Sequence, residues 1–156
     1  MLKSLIAFLP IVFLLPWAEA QTGPQAQVFP AAHLQAEVAR LTTSAQSSGS
    51  SGTTLVSAAS HVLMLSVRGA TGSAEIHAHF DDVMVVTGGR ATLVSGGSVL
   101  NPVTDANGET KGSEIRGGTT QHVAQGDVIH IPAGIPHQLI VPRGVVFSAF
   151  VVKVRE

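Results

Sequence analysis

Gly126-Asp127-Val128-Ile129-His130-Ile131-Pro132-Ala133-Gly134-Ile135-Pro136-His137 decides how this chain is read. It is a short apolar strand, a turn built from proline and glycine, and a histidine that opens the next strand. The prolines lock φ, and Gly134 permits a backbone conformation closed to other residues, so the side chain after the turn is held in a fixed direction. Past the turn, His137, Leu139 and Val141 share one face, and Gln138 and Ile140 take the other. A polar ring leading an apolar, inward face needs a partner, because burying an unpaired imidazole is costly.

The partners are sought upstream. His77 and His79 are two apart in Glu75–Phe80. A strand sends alternate residues to one face, so both rings are expected on the same side, a plausible pair of ligands for a divalent metal. Three imidazoles converging on one ion would satisfy His137.

The surrounding pattern is β. From Leu55 onward, runs of Val, Leu and Ile are separated by glycine-rich turns. Strands are expected at 55–59, 62–68, 75–80, 83–87, 91–95, 114–116, 121–123, 127–131, 138–141 and 145–154. Many short strands and no second helix mean a sandwich or barrel. Residues 101–125 are long for a hairpin connection and are either a lid or partner surface or a plain insertion.

With these residues in place, the chain resembles the cupin superfamily. The second cupin motif, G(X)5PXG(X)2H(X)3N, is matched by Gly126, Pro132, Gly134 and His137, with Val141 at the Asn position. The first, G(X)5HXH(X)3,4E(X)6G, is matched by His77, His79 and the closing Gly89. It departs at Gly72, one residue too close, and at the acid. Asp82 stands there instead of Glu, with two residues between it and His79 where the motif has three or four. The resemblance covers about residues 55–154. It implies an all-β jelly-roll barrel, usually a homodimer, whose metal ligands would be His77, His79, Asp82 and His137. The ion would be Fe, Mn, Zn, Ni or Cu. Similar small cupins include metal-dependent dioxygenases and isomerases; others bind a metal or small ligand without catalysis, or keep a metal-free pocket.

Residues 1–20 carry Lys3, an apolar core over Leu5–Leu15 and Ala18-Glu19-Ala20. This is the pattern of a signal peptide cleaved before Gln21. Its apolar run is short of the roughly 20 residues of a membrane span, so no stable membrane anchor is expected after cleavage. The mature protein is expected in a periplasm or secreted. Residues 21–53 read as a leader, a short amphipathic helix over Ala31–Ala45 with Leu34, Val38 and Leu41 on one side, and a flexible linker at SSGSSGT. The β domain is 54–156.

Composition narrows the function. All 156 residues carry a net charge of −1, so no strong field draws the chain to nucleic acid or anionic lipid. The absence of Cys excludes disulfides and thiolate chemistry. Loss of Trp17 with the leader would leave no Trp or Tyr, which argues against sugar stacking and single-strand platforms. Val141, Leu139 and Phe147 suggest an apolar cavity and a small, weakly polar ligand. His130 lines the pocket if its strand face is inward, and is a surface residue otherwise. His122 lies in the insert before the second motif, either on the surface or reaching the pocket mouth, and Asp81 is placed in solvent.

Overall fold

The computed structural model describes residues 25–156, so the signal-like segment lies outside the described residues. Helix α1 (Ala31–Ser48) comes first. It is followed by β1 (Ser50–Ser57), β2 (His61–Arg68), β3 (Ala74–His77), β4 (Phe80–Gly88), β5 (Arg90–Ser95), β6 (Ser98–Val99) and β7 (Val103–Thr104). Then come β8 (Glu109–Gly112), β9 (Ile115–Arg116), β10 (Thr119–Ala124), β11 (Val128–Ile131), β12 (His137–Ile140) and β13 (Phe147–Arg155). No described helix is long and apolar enough to cross a membrane.

Two antiparallel sheets face each other. One runs β1-β2-β13-β4-β11, the other β10-β5-β12-β3-β8-β7. With β1 and the insert strands set aside, eight strands form two four-stranded sheets, β2-β13-β4-β11 and β10-β5-β12-β3, as two interlocked Greek keys. This is the jelly-roll order, and the fold is an all-β jelly-roll barrel. The strand β13, an apolar run that would be a hazard at an edge, lies between β2 and β4 and is paired on both sides.

The core fills one half of the barrel. Met84, Val86, Leu93, Ile129, Val141 and Phe147 are among the side chains that pack there, and Phe147 is 1% exposed. Phe147→Ala is expected to destabilise the fold by about 3–5 kcal/mol, read by urea denaturation, because its pocket is walled by strands that cannot collapse. A loss under about 1 kcal/mol would mean this end of the barrel is loosely packed.

The SSGSSGT segment is not a linker. Helix α1 runs to Ser48, and Gly49 ends it at φ +83°, donating its N–H to Ala45 O. Ser50 then starts β1, which pairs with β2 from Ser50↔Arg68 to Ser57↔Val62. Backbone pairing decides the matter: an edge strand needs N–H and C=O groups more than large side chains. Leu41 and Ala45 pack on Leu65 and Val67, so helix and barrel share a second apolar cluster, and the helix belongs to the domain.

The insert is also built in. Strand β8 adds to the sheet beside β3. Gln138, on the outer face of β12 yet buried, donates to Gly72 O at 2.9 Å and Ser113 O at 3.3 Å. That pair of bonds ties the insert to the barrel.

Candidate metal centre in the barrel cavity

Strand register assembles the site. On the inner face of β3, Glu75 and His77 are two residues apart. Glu75 lies between His137 of β12 and Lys111 of β8, and His77 lies opposite Glu109 of β8. Directly opposed residues on one sheet face are close enough to interact. On the other sheet, Asp82 of β4 lies opposite Lys153 of β13.

The turn that aims His137 is tied to the strand that carries His77. Gly134, at φ +76°, donates its N–H to His77 O at 2.8 Å. Ala133 N–H donates to Asp81 Oδ1 at 2.7 Å. Asp81 points outward from β4, also meets His130 Nε2 at 3.1 Å, and is not merely solvated. The Ala133 N–H, then His130, hold its carboxyl below the ordinary value.

Glu75, His77 and His137 offer ligand atoms that all lie within 4.8 Å of one another. The two rings are 5.0 Å apart, centroid to centroid. His137 Nδ1–H donates to Ile135 O at 3.0 Å, which leaves Nε2 as the lone-pair nitrogen. That Nε2 is buried and has no hydrogen-bond partner. Burial, only partly offset by the Ile135 contact and reinforced by His77, holds the ring below its ordinary pKa and therefore neutral. A neutral, buried, unpartnered imidazole nitrogen beside a second imidazole and a carboxylate is the donor set of a divalent transition-metal site, and the residues fit such an ion.

His77 is held from two sides. Its Nδ1 meets Glu109 Oε2, and its Nε2 lies 3.4 Å from Asp82 Oδ2. Both neighbours are carboxylate oxygens, which only accept, so a neutral ring satisfies one of them and a protonated ring both. Burial opposes the charged ring, but the Asp82 hydrogen bond leads the contributions that overcome it, and the pKa of His77 is raised. Asp82 is 2% exposed. Burial pushes its carboxyl up, while His77 and then Lys153, whose Nζ donates to Oδ1 at 2.8 Å, bring it below its ordinary value. Asp82 thus lies beside Nε2 of His77, and its carboxylate is not among the mutually close ligand atoms of Glu75, His77 and His137.

His79 does not join them. Strand β3 ends at His77, and residues 78 and 79 form the turn into β4, so the alternation of faces lapses one residue too soon. His79 is exposed and lines a surface hollow with Phe80, Asn107 and Arg155. His130 faces outward, since Ile129 and Ile131 take the inner face of β11. His122 faces outward too, with Thr92 Oγ1 at 3.2 Å from its Nδ1. Two residues were missed. Glu75 had a signal, being in step with His77; Glu109 had none, because only sheet pairing brings the insert alongside β3.

The cavity holds about 220 Å³. It is not apolar. Phe147 and Val141 pack in the core and do not line it, while Met64, Met84, Leu139 and Val151 supply the apolar lining. Arg68, Glu75, Asp82, Glu109, Lys111 and Lys153 line it as well, together with the two histidines.

No protein-family model matches the chain, and no curated protein matches it. Solved structures similar to it include the polyketide cyclase RemF from Streptomyces resistomycificus, at 19% identity and TM-score 0.49 over 69% of this chain and 67% of that one. A cupin 2 conserved barrel domain protein from Rhodopseudomonas palustris is similar at 19% identity and TM-score 0.49, over 69% of this chain and 63% of that one. A cupin superfamily protein from Desulfitobacterium hafniense DCB-2 is similar at 13% identity and TM-score 0.48, over 69% of this chain and 78% of that one. Strand order, not these likenesses, carries the architecture: the chain folds as a jelly-roll barrel with a Glu75, His77 and His137 cluster inside it.

Proposed function

We propose that the protein holds one divalent metal ion in the barrel through Glu75, His77 and His137, and that the adjoining cavity takes a small molecule. The observation that carries this reading is the buried Nε2 of His137, which has no partner other than the one an ion would supply. A bound ion would supply Lewis acidity and a template for the substrate, as a dioxygenase or isomerase type of reaction requires. The chain's own residues do the rest. Asp82 and Glu109 restrain the His77 ring, Lys153 restrains Asp82, and the Ile135 carbonyl selects the tautomer of His137. Such outer contacts orient ligands and tune their basicity.

Metal analysis of protein purified from its native compartment tests the reading. One equivalent of Fe, Mn, Zn, Ni or Cu is expected. A second reading rests on the charge pattern: Glu75 lies against Arg68 and Lys111, Asp82 against Lys153, and His77 between Asp82 and Glu109 without any ion. Metal content near zero would favour that metal-free pocket; metal without turnover would favour a binder over an enzyme.

The reading includes export of a mature chain beginning at Gln21, and a homodimer. The outer face of the sheet containing β13 exposes Val85, Val128 and Val154, which supports association through it. N-terminal sequencing and sedimentation check both; a retained Met1, or a monomer at micromolar concentration, would count against them.

A further inference from the structure

We propose that the cavity is specific for a small organic anion, a mono- or dicarboxylate, seated on Arg68 beside the metal. The proposal rests on the metal reading and extends it to the ligand. Glu75, Asp82 and Glu109 are matched by Arg68, Lys111 and Lys153, and an imidazole that ligates an ion is neutral, so apart from the ion the lining is formally balanced. A divalent ion added to that lining leaves two positive charges in excess. The apolar lining of Met84, Leu139 and Val151 offers nothing to compensate them. Uncompensated charge in a space of low dielectric is costly, and an anionic ligand removes it.

Arg68 is the natural seat. Its Nε is buried with no partner, and its Nη2 has one long contact, 3.5 Å to Glu75 Oε2. Glu75 is also 3.9 Å from Lys111 and 3.3 Å from the Ser73 hydroxyl. A carboxylate drawn toward an ion serves these cations less, which frees a guanidinium whose fork of donors matches a carboxylate. The guanidinium is also held in place, since it packs over Gly72, where a Cβ would lie 2.1 Å from Nη1. Lys111 is 67% exposed and stands at the rim, where it attracts an anion without being fixed to one group. A cationic ligand would meet the same excess charge, and a neutral one would leave it in place.

The experiment uses Zn²⁺-loaded full-length mature protein, titrated calorimetrically with malonate and with malonamide, its neutral counterpart of similar size. Malonate is expected to bind at least about 10-fold more tightly, and Arg68→Gln to weaken malonate by about 10–100-fold at unchanged zinc stoichiometry, the range of a charge-assisted hydrogen bond. Gly72→Ala should weaken it as well, by displacing the guanidinium without changing any charge. Equal binding of the two probes to the zinc-loaded wild type overturns the proposal, as does full malonate affinity in Arg68→Gln. Both results leave the metal reading standing. Wild-type protein that takes up no zinc overturns the metal reading, and the proposal falls with it, because the excess charge is then absent.

Discussion

His137→Ala is expected to strip the protein of metal while leaving the fold intact. The ring supplies one of three ligand atoms, and the two that remain, from Glu75 and His77, lie on a single strand and form a weak site. Losing an outer contact to a ligand typically costs about 10–100-fold in affinity, so losing a ligand itself should exceed about 100-fold. Stability of the metal-free protein should move little. The alanine removes buried atoms, which costs packing. It also removes a nitrogen that is buried without a partner, which relieves a penalty of about 1–3 kcal/mol. The two effects oppose each other. Metal stoichiometry by atomic emission and thermal melting of the apo form read both. Unchanged metal content would eliminate the cluster as a site, and a collapse of the apo fold would show that His137 acts as a packing residue.

The second large effect is expected at Asp82. Asp82→Ala leaves the Lys153 ammonium and the His77 ring facing a hole, with Lys153 21% exposed and the lost carboxylate 3% exposed. Breaking a buried pair by removing one partner costs about 3–5 kcal/mol, and the exposure of Lys153 places the expectation below that range, at about 2–3 kcal/mol. The pH profile adds a test that packing loss does not imitate. Asp82 is held below its ordinary value of 3.8, so its contribution is present above the unfolded pKa and fades as pH falls through the folded one. His77 is held above 6.5, so its contribution is complete below that value and fades as pH rises through its raised pKa. The apo wild type should therefore gain most from this pair between about pH 4 and 6.5. Urea denaturation of wild type and variant across that range should show the widest gap near its middle. A gap under about 1 kcal/mol, or one independent of pH, would remove Asp82 from the electrostatics of the site.

The β character of the chain was legible because alternation and glycine turns are local. Every long strand expected from Leu55 onward exists, displaced by a few residues at its ends. His137 was legible for the same reason: Pro132, Gly134 and Pro136 fix the direction of the next side chain with nothing distant required. His77 followed from strand period. His79 did not, since where a strand stops depends on the hairpin it enters, and here Phe80 begins β4 while His79 is still in the turn. The SSGSSGT segment misled for a related reason. Its composition suits a linker, but its backbone groups pair with β2, and such pairing leaves little trace in the side chains of an edge strand.

The cavity marks the division most clearly. Sequence alone determined an all-β chain with a rigid turn ahead of His137 and a histidine strand at His77, because those are properties of neighbouring residues. Tertiary structure alone decided the company those histidines keep. Glu109 and Lys111 come from an insert that pairs with β3, and Asp82 and Lys153 come from strands 71 residues apart that meet only when the sheet forms. Charges separated by such distances along the chain carry no periodic signal. Their convergence on one cavity is set by strand order and register, which depend on how the whole barrel closes.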